Sequence, residues 1–221
     1  MTNARPILVI GNKNYSSWSL RPWLLLRHHG VAFDEQRIPL DTPQFAAEIA
    51  TWSPTRRVPA LRHGEIAIWD SLAICEYVNE TFLAGAGWPA DAAARAHARA
   101  VGAEMHAGFQ ALRTAMPMNC RRRKPTPSIA ADTRRDIERV SALWQDCRRR
   151  FGAAGPFLFG GFSIADAMYA PVALRFLSYG VELDADARTY VDALLGLAAL
   201  QEWLRAAAEE SETLPATDDV P

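Results

Sequence analysis

The sequence predicts an α/β domain in the order β-α-β-α-β-β-α followed by an all-α domain. Three observations carry that prediction. Short β-branched runs alternate with helical apolar periodicity up to residue 84, a Gly-Ala-Gly-Trp-Pro segment interrupts at 85–89, and no strand-like run follows. The 221 residues divide accordingly into a first domain at 1–84, a linker at 85–89, a helical domain at 90–210 and a mobile tail at 211–221.

Ile7-Leu8-Val9-Ile10 has the pattern of a buried strand and is stopped by Gly11. Trp23 to Leu26 then give a strongly apolar helical face that runs to His28-His29-Gly30, where glycine suits a helix end. Pro22 sets the helix start in this reading. With Ser19 as cap it falls inside the first turn, whereas a cap at Ser17 drives its ring into the carbonyl four residues back. Phe33, Arg37 and Ile38 mark a second strand within 31–39, and a weaker helix spans 43–50. Ser53 to Leu61 and Glu65 to Trp69 flank His63-Gly64 as a hairpin. Ile74, Tyr77, Val78 and Phe82 return at helical spacing.

Past the linker, the alanine-rich stretch 90–116 supports one long helix. Residues 132–151 give another, with Ile137, Val140, Leu143, Trp144 and Cys147 in register. Ser163-Ile164-Ala165-Asp166 is a capping-box variant that opens a third, a folding signal rather than a chemical one. Shorter helices occupy 186–195 and 197–208.

A hydrophobic fraction of 49% and a net charge of -1 fit an ordinary globular chain with no global attraction for nucleic acid or an anionic membrane. The run Arg121-Arg122-Arg123-Lys124 has no interleaved aromatics and reads as a solvated loop. Cys75, Cys120 and Cys147 are odd in number and form no C-x-x-C pair, which suits a reducing compartment, and the histidines show no metal-ligand spacing. Without a signal pattern or a long apolar run, the expected location is the cytoplasm.

Chemistry concentrates at Asn14 to Trp23, where Ser16, Ser17 and Ser19 crowd one strand-to-helix junction. A helix N-terminus carries unpaired N–H groups and partial positive charge, so hydroxyls beside it help to hold an anion. Taken alone, such serines are capping residues more often than chemical ones.

Their spacing to two further pairs changes that reading. The Ser-Ser-x-Ser-x-Arg junction at 16–21, Val58-Pro59, Asp70-Ser71 and Phe162 to Asp166 together resemble the cytosolic glutathione S-transferase family, and the junction resembles the serine motif of its zeta class. The resemblance implies a thioredoxin-like first domain that binds glutathione as co-substrate and a helical domain that supplies the pocket for a small electrophile. It assigns the thiolate-stabilising hydroxyl to Ser16, with Ser17 a close alternative. Val58 would offer its main chain to the cysteinyl unit, Asp70 would take the γ-glutamyl ammonium, Ser71 the γ-glutamyl carboxylate, and Arg57, in competition with Arg56, the glycyl carboxylate. Trp18, Met116, Met118 and Asn119 are the candidate lining of the electrophile pocket.

The expected activity is a glutathione transferase, working as a homodimer without metal, nucleic acid or membrane partner. The alternatives are a glutathione-dependent isomerase of the zeta type and a non-catalytic glutathione-binding or protein-interaction module on the same fold. Trp18 stands where the zeta class has cysteine and Leu20 where it has tryptophan, which sets this chain apart from the zeta pattern.

Overall fold

The structure, a computed structural model, describes residues 4–221; residues 1–3, the start of the expected first domain, lie outside the described residues. The first unit comprises β1 (Ile7–Ile10), α1 (Ser17–His28), β2 (Asp34–Arg37), α2 (Pro43–Trp52), β3 (Ala60–His63), β4 (Ile66–Trp69) and α3 (Ser71–Thr81). Helices follow: α4 (Ala92–Ala107), α5 (Gln110–Ala115), α6 (Ala131–Phe151), α7 (Ile164–Ser178), α8 (Ala185–Leu195), α9 (Ala198–Glu209) and the short α10 (Pro215–Asp218). The sheet has the order β2-β1-β3-β4, with β1 parallel to β2 and antiparallel to β3, and β3 antiparallel to β4. The β-α-β-α-β-β-α order is the one read from the sequence, and the arrangement is the thioredoxin-like one that the resemblance implies.

Strand alternation divides the core. Val9 meets Ile38, Ile49 and Ala60 on the α2 side of the sheet, while Leu8 and Ile10 face the large cluster that continues into the helical domain. On that second side α1 is packed by α3, α7 and α9.

The helix start differs from the expectation. α1 begins at Ser17 with Ser16 as its N-cap residue, the Leu20 N–H donates to the Ser16 carbonyl, and Pro22 lies inside the helix. An interior proline costs about 3 kcal/mol. Burial of Leu20, Trp23, Leu24, Leu25 and Leu26, each worth about 1.5–3 kcal/mol, outweighs it. Ser19 is no cap: its hydroxyl accepts the Gly11 N–H at 3.2 Å and ties the helix to the end of β1.

The single helix expected over 90–116 is broken in two. Gly108 has extended backbone, Phe109 takes a left-handed φ of 62°, and a Cβ on Gly108 would meet the Glu104 carbonyl oxygen at 2.9 Å. The linker is held in place: Gly87 N–H donates to Asn79 Oδ1, the Ile164 N–H donates to the Gly87 carbonyl, and a side chain on Gly87 would strike Asn79 at 2.8 Å.

Among the described residues, no helix is long and apolar enough to cross a membrane, and no group of three or more His, Cys, Asp or Glu is placed to hold a metal.

Asp166 anchors α7. Its fully buried carboxylate accepts the Leu158 N–H at 3.1 Å and both the N–H and the hydroxyl of Ser163 at 2.8 Å, and burial pushes its pKa up to about 6. Asp166→Ala leaves three buried donors unsatisfied. We expect a loss of about 3 kcal/mol, read as a melting temperature lowered by roughly 6–12 °C.

Candidate functional site

A cavity of about 220 Å³ opens where the β1–α1 junction, the segment before β3 and the start of α3 converge. Trp18, Thr55, Arg57, Val58, Pro59, Trp69, Asp70 and Ser71 line it. The Val58–Pro59 peptide bond is cis. Five of the expected site residues, Trp18, Arg57, Val58, Asp70 and Ser71, thus meet at one opening although they come from three stretches of sequence.

Asp70 caps α3 from a left-handed backbone, φ 78°. Its Oδ1 accepts the N–H groups of Leu72 and Ala73, and its Oδ2 lies 3.1 Å from His106 Nε2 of α4. Ser71 is 1% exposed, and its hydroxyl accepts from Arg21 Nη1 at 3.3 Å. Trp18 is flanked by the guanidiniums of Arg21 and Arg113, 4.2 and 4.8 Å from its ring centre, with His106 against it edge to face.

Ser16 and Ser17 stand at the N-terminus of α1, each 6% exposed, and are not among the lining residues. Ser16 Oγ donates to Ser19 Oγ at 2.7 Å, while Ser17 Oγ accepts from Arg175 Nη2 of α7 at 3.1 Å.

Met116, Met118 and Asn119, expected in the electrophile pocket, are placed elsewhere. The two methionines are buried in the core beneath the domain junction. Asn119 is a clasp: it accepts from Asn14 Nδ2 at 3.1 Å and donates to Asp218 Oδ1 at 2.7 Å. An apolar sequence context does not tell core lining from pocket lining.

The tail, expected to be mobile, lies along the loop that carries the serines. The Glu210 carboxylate accepts the N–H groups of Lys13 and Asn14 at 2.7 and 3.0 Å, Tyr15 Oη donates to Asp218 Oδ2 at 2.7 Å, and Arg121 donates to the carbonyls of Glu210 and Glu212. The basic run around Arg121 therefore binds the acidic tail, with Arg122 donating to the Val220 carbonyl at 2.7 Å.

Sequence reasoning gave Arg21 a place in the junction motif but no role, read His106 as structural or exposed, and passed over Arg113, Arg175 and Glu210. Arg175 had a readable signal: it interrupts the apolar run Ala173-Leu174-Arg175-Phe176, where a cation has to find buried partners. Arg21 stands one turn after Ser17 on the same face of α1.

Residues 15–81 match the family model described as glutathione S-transferase, N-terminal domain. The chain is 30% identical over 112 residues to a probable maleylacetoacetate isomerase of Caenorhabditis elegans and 32% identical over 117 residues to maleylacetoacetate isomerase of Rattus norvegicus. These alignments cover 51% of this chain and 51% and 52% of those relatives, so the chain spans about half the length of the curated relatives it matches. Among solved structures, a glutathione transferase homolog from Burkholderia gl BGR1 with bound glutathione has a TM-score of 0.71 at 22% identity, covering 93% of this chain and 100% of that one. A second homolog, from Lodderomyces elongisporus with two glutathione molecules per subunit, has a TM-score of 0.69 at 16% identity and covers 91% and 98%. At these identities the likeness is one of fold.

The clasp of Glu210 on the loop predicts that Glu210→Ala raises the hydrogen-exchange rates of the Lys13 and Asn14 amides about tenfold or more, with α7 amides unchanged. Mass-resolved exchange over 11–16 checks this.

Proposed function

We propose that this chain, a member of the cytosolic glutathione S-transferase family, is a glutathione transferase that activates the glutathione thiol at the N-terminus of α1 for attack on a small electrophile. The observation that carries the reading is the convergence of Val58, Asp70 and Ser71 on one cavity beside that helix end.

A free thiol has a pKa of about 8.5, so only a few per cent is thiolate at neutral pH. Donors that stabilise the anion raise that fraction, and the junction offers the hydroxyls of Ser16 and Ser17 together with the partial positive charge of the first turn of α1. The thiol proton leaves to solvent, and the sulfur lone pair forms the bond to an electrophilic carbon as that carbon releases an electron pair, either to a leaving group that departs as an anion or to the far end of an activated double bond that then takes up a proton.

The rest of the tripeptide has a partner for each end. Val58 N–H and C=O pair with the cysteinyl unit as an added strand. Ser71, at the first position of α3, binds the γ-glutamyl carboxylate through its hydroxyl and N–H. Asp70 takes the ammonium on the oxygen that faces His106, its other oxygen being committed to the helix cap. Arg57 at the rim meets the glycyl carboxylate.

Trp18 forms the wall towards the electrophile, and the break between α4 and α5 bounds the same side through Arg113, which donates to the carbonyls of Met105 and Gly108. Isomerisation of the zeta type is the second reading. The curated relatives support it, whereas Trp18 and Leu20 at the two departures from the zeta motif support conjugation. A homodimer is the assembly that the family resemblance implies.

Asp70→Ala is expected to weaken glutathione binding by about ten- to a hundredfold in calorimetry, since it removes a charge-assisted contact. The double variant Ser16→Ala, Ser17→Ala should instead lower kcat for a model electrophile by about a hundredfold with KM for glutathione within a few-fold of the wild type. Unchanged binding in the first, or unchanged kcat in the second, rejects the corresponding assignment.

A further inference from the structure

Two arginines stand behind the candidate site without a carboxylate partner. Arg21 is 0% exposed and Arg175 3% exposed, and neither forms an ion pair among the described residues. Arg21 Nε and Nη2 and Arg175 Nη1 meet no hydrogen-bond partner. A third guanidinium, Arg113, adds like charge, with Asp136 its nearest electrostatic counterweight. Burial lowers the pKa of all three; repulsion from Arg113 adds to it for Arg21, which Asp70 partly offsets, and for Arg175, whose pKa falls to about 9 and which is still a cation at neutral pH. Buried charge without a partner is unfavourable, so the potential it creates is relieved when an anion arrives.

What these cations touch tells where that anion sits. Arg175 is pinned by its Nε, which donates to the Met116 carbonyl at 2.8 Å, and its Nη2 donates to Ser17 Oγ. Arg21 Nη1 donates to Ser71 Oγ. A hydroxyl has one proton and two acceptor lone pairs, so a hydroxyl that already accepts from a fixed cation keeps its own proton to give. Neither Ser17 nor Ser71 passes its hydroxyl proton to an acceptor among the described residues. Ser16 differs: its proton goes to Ser19 Oγ, and Ser19 is held in turn by the Gly11 N–H.

We infer that Arg175 and Arg21 are positioning residues for glutathione, Arg175 making Ser17 rather than Ser16 the hydroxyl that donates to the thiolate, and Arg21 doing the same for Ser71 towards the γ-glutamyl carboxylate. This rests on the proposed glutathione transferase reading and refines it. The two backed hydroxyls belong to different helix starts, so one ligand with two separated anions satisfies both. Trp18, which lines the cavity, lies against Arg21 and Arg113 and covers those two guanidiniums on that side.

The test compares wild type, Arg175→Met, Arg175→Lys, Arg21→Met, Ser17→Ala and Ser16→Ala by two readouts. Ultraviolet difference absorbance follows ionisation of the bound glutathione thiol with pH. Calorimetry with S-methylglutathione, which has no ionisable thiol, measures binding alone. Arg175→Met should raise the ionisation midpoint by about one pH unit with S-methylglutathione affinity nearly unchanged, and Arg175→Lys should restore part of the shift. Arg21→Met should weaken S-methylglutathione binding about tenfold with a smaller change in the midpoint.

Ser17→Ala, a mild change at a helix start, should reproduce the Arg175→Met shift and decides the matter if that variant does not fold. A midpoint unmoved by Ser17→Ala but raised by Ser16→Ala overturns the inference and leaves the transferase reading standing. A wild-type protein whose bound thiol ionises at the ordinary pH rejects both.

Discussion

The structure depends on the burial of the central turns of α1. That helix is enclosed by the sheet, by α3 of its own unit and by α7 and α9 of the helical domain, so its residues from Ser19 to Leu26 are all buried. It is the shared wall of two domains, and its N-terminus is consequently fixed relative to both. Side chains at Ser17 and Arg21, one turn apart, reach different neighbours: Ser17 meets α7 and Arg21 meets the start of α3. A helix with one solvent face could not place polar groups towards both domains. The interior proline is tolerated for the same reason, because apolar burial along the helix exceeds the loss of one backbone hydrogen bond.

A second constraint acts on the loop before that helix. Residues 12–16 turn tightly, with Tyr15 and Ser16 N–H groups both donating to the Asn12 carbonyl. The N–H groups of Lys13 and Asn14 point away from the turn and are satisfied only because the chain returns after α9 and presents Glu210. Asn119, Arg121 and Tyr15 then gather the tail over the loop. The long-range contact joins residues nearly 200 apart in sequence, and it explains why a terminal acidic stretch with two prolines is ordered: the Glu210 carboxylate takes the Lys13 and Asn14 N–H groups, and Asp218 takes Tyr15 Oη and Asn119 Nδ2.

Periodicity made most of the fold legible. The alternation of Leu8, Val9 and Ile10 across the two faces of β1 and the apolar register of α6 are direct readings of strand and helix repeats. The reading failed where a local rule was overruled by packing, at the cap of α1, and where a single residue ended a helix against favourable composition, at Gly108. At the candidate site, the helix start at Asp70-Ser71 and the Val58-Pro59 turn that line one cavity were legible because such features leave local signatures. Arg175 and Glu210 were not, since nothing near them in sequence names Ser17 or the Lys13 amide. Met116 and Met118 misled for the converse reason: flexible apolar side chains suit a pocket and a core equally.

Why the fold should retain three clustered arginines follows from comparing costs. Even a buried ion pair is commonly replaced by apolar residues of similar size with neutral effect or a gain of about 1–4 kcal/mol, and a buried charge left without its partner is less favourable still. Arg113 has a structural task that offsets this, since it donates to the carbonyls at the end of α4. Arg175 holds the Met116 carbonyl and Ser17 Oγ, but neutral acceptors do not require a full charge, and Arg21, beside the Trp18 ring, hydrogen-bonds a serine hydroxyl alone among the described residues. Their positions beneath two hydroxyls of the candidate site make sense if the charge is compensated in the complex rather than in the free protein. On the proposed reading, the free chain carries a positive potential under its cavity that Asp70 and Asp136 offset only in part, and binding of an anionic tripeptide and fold stability are linked.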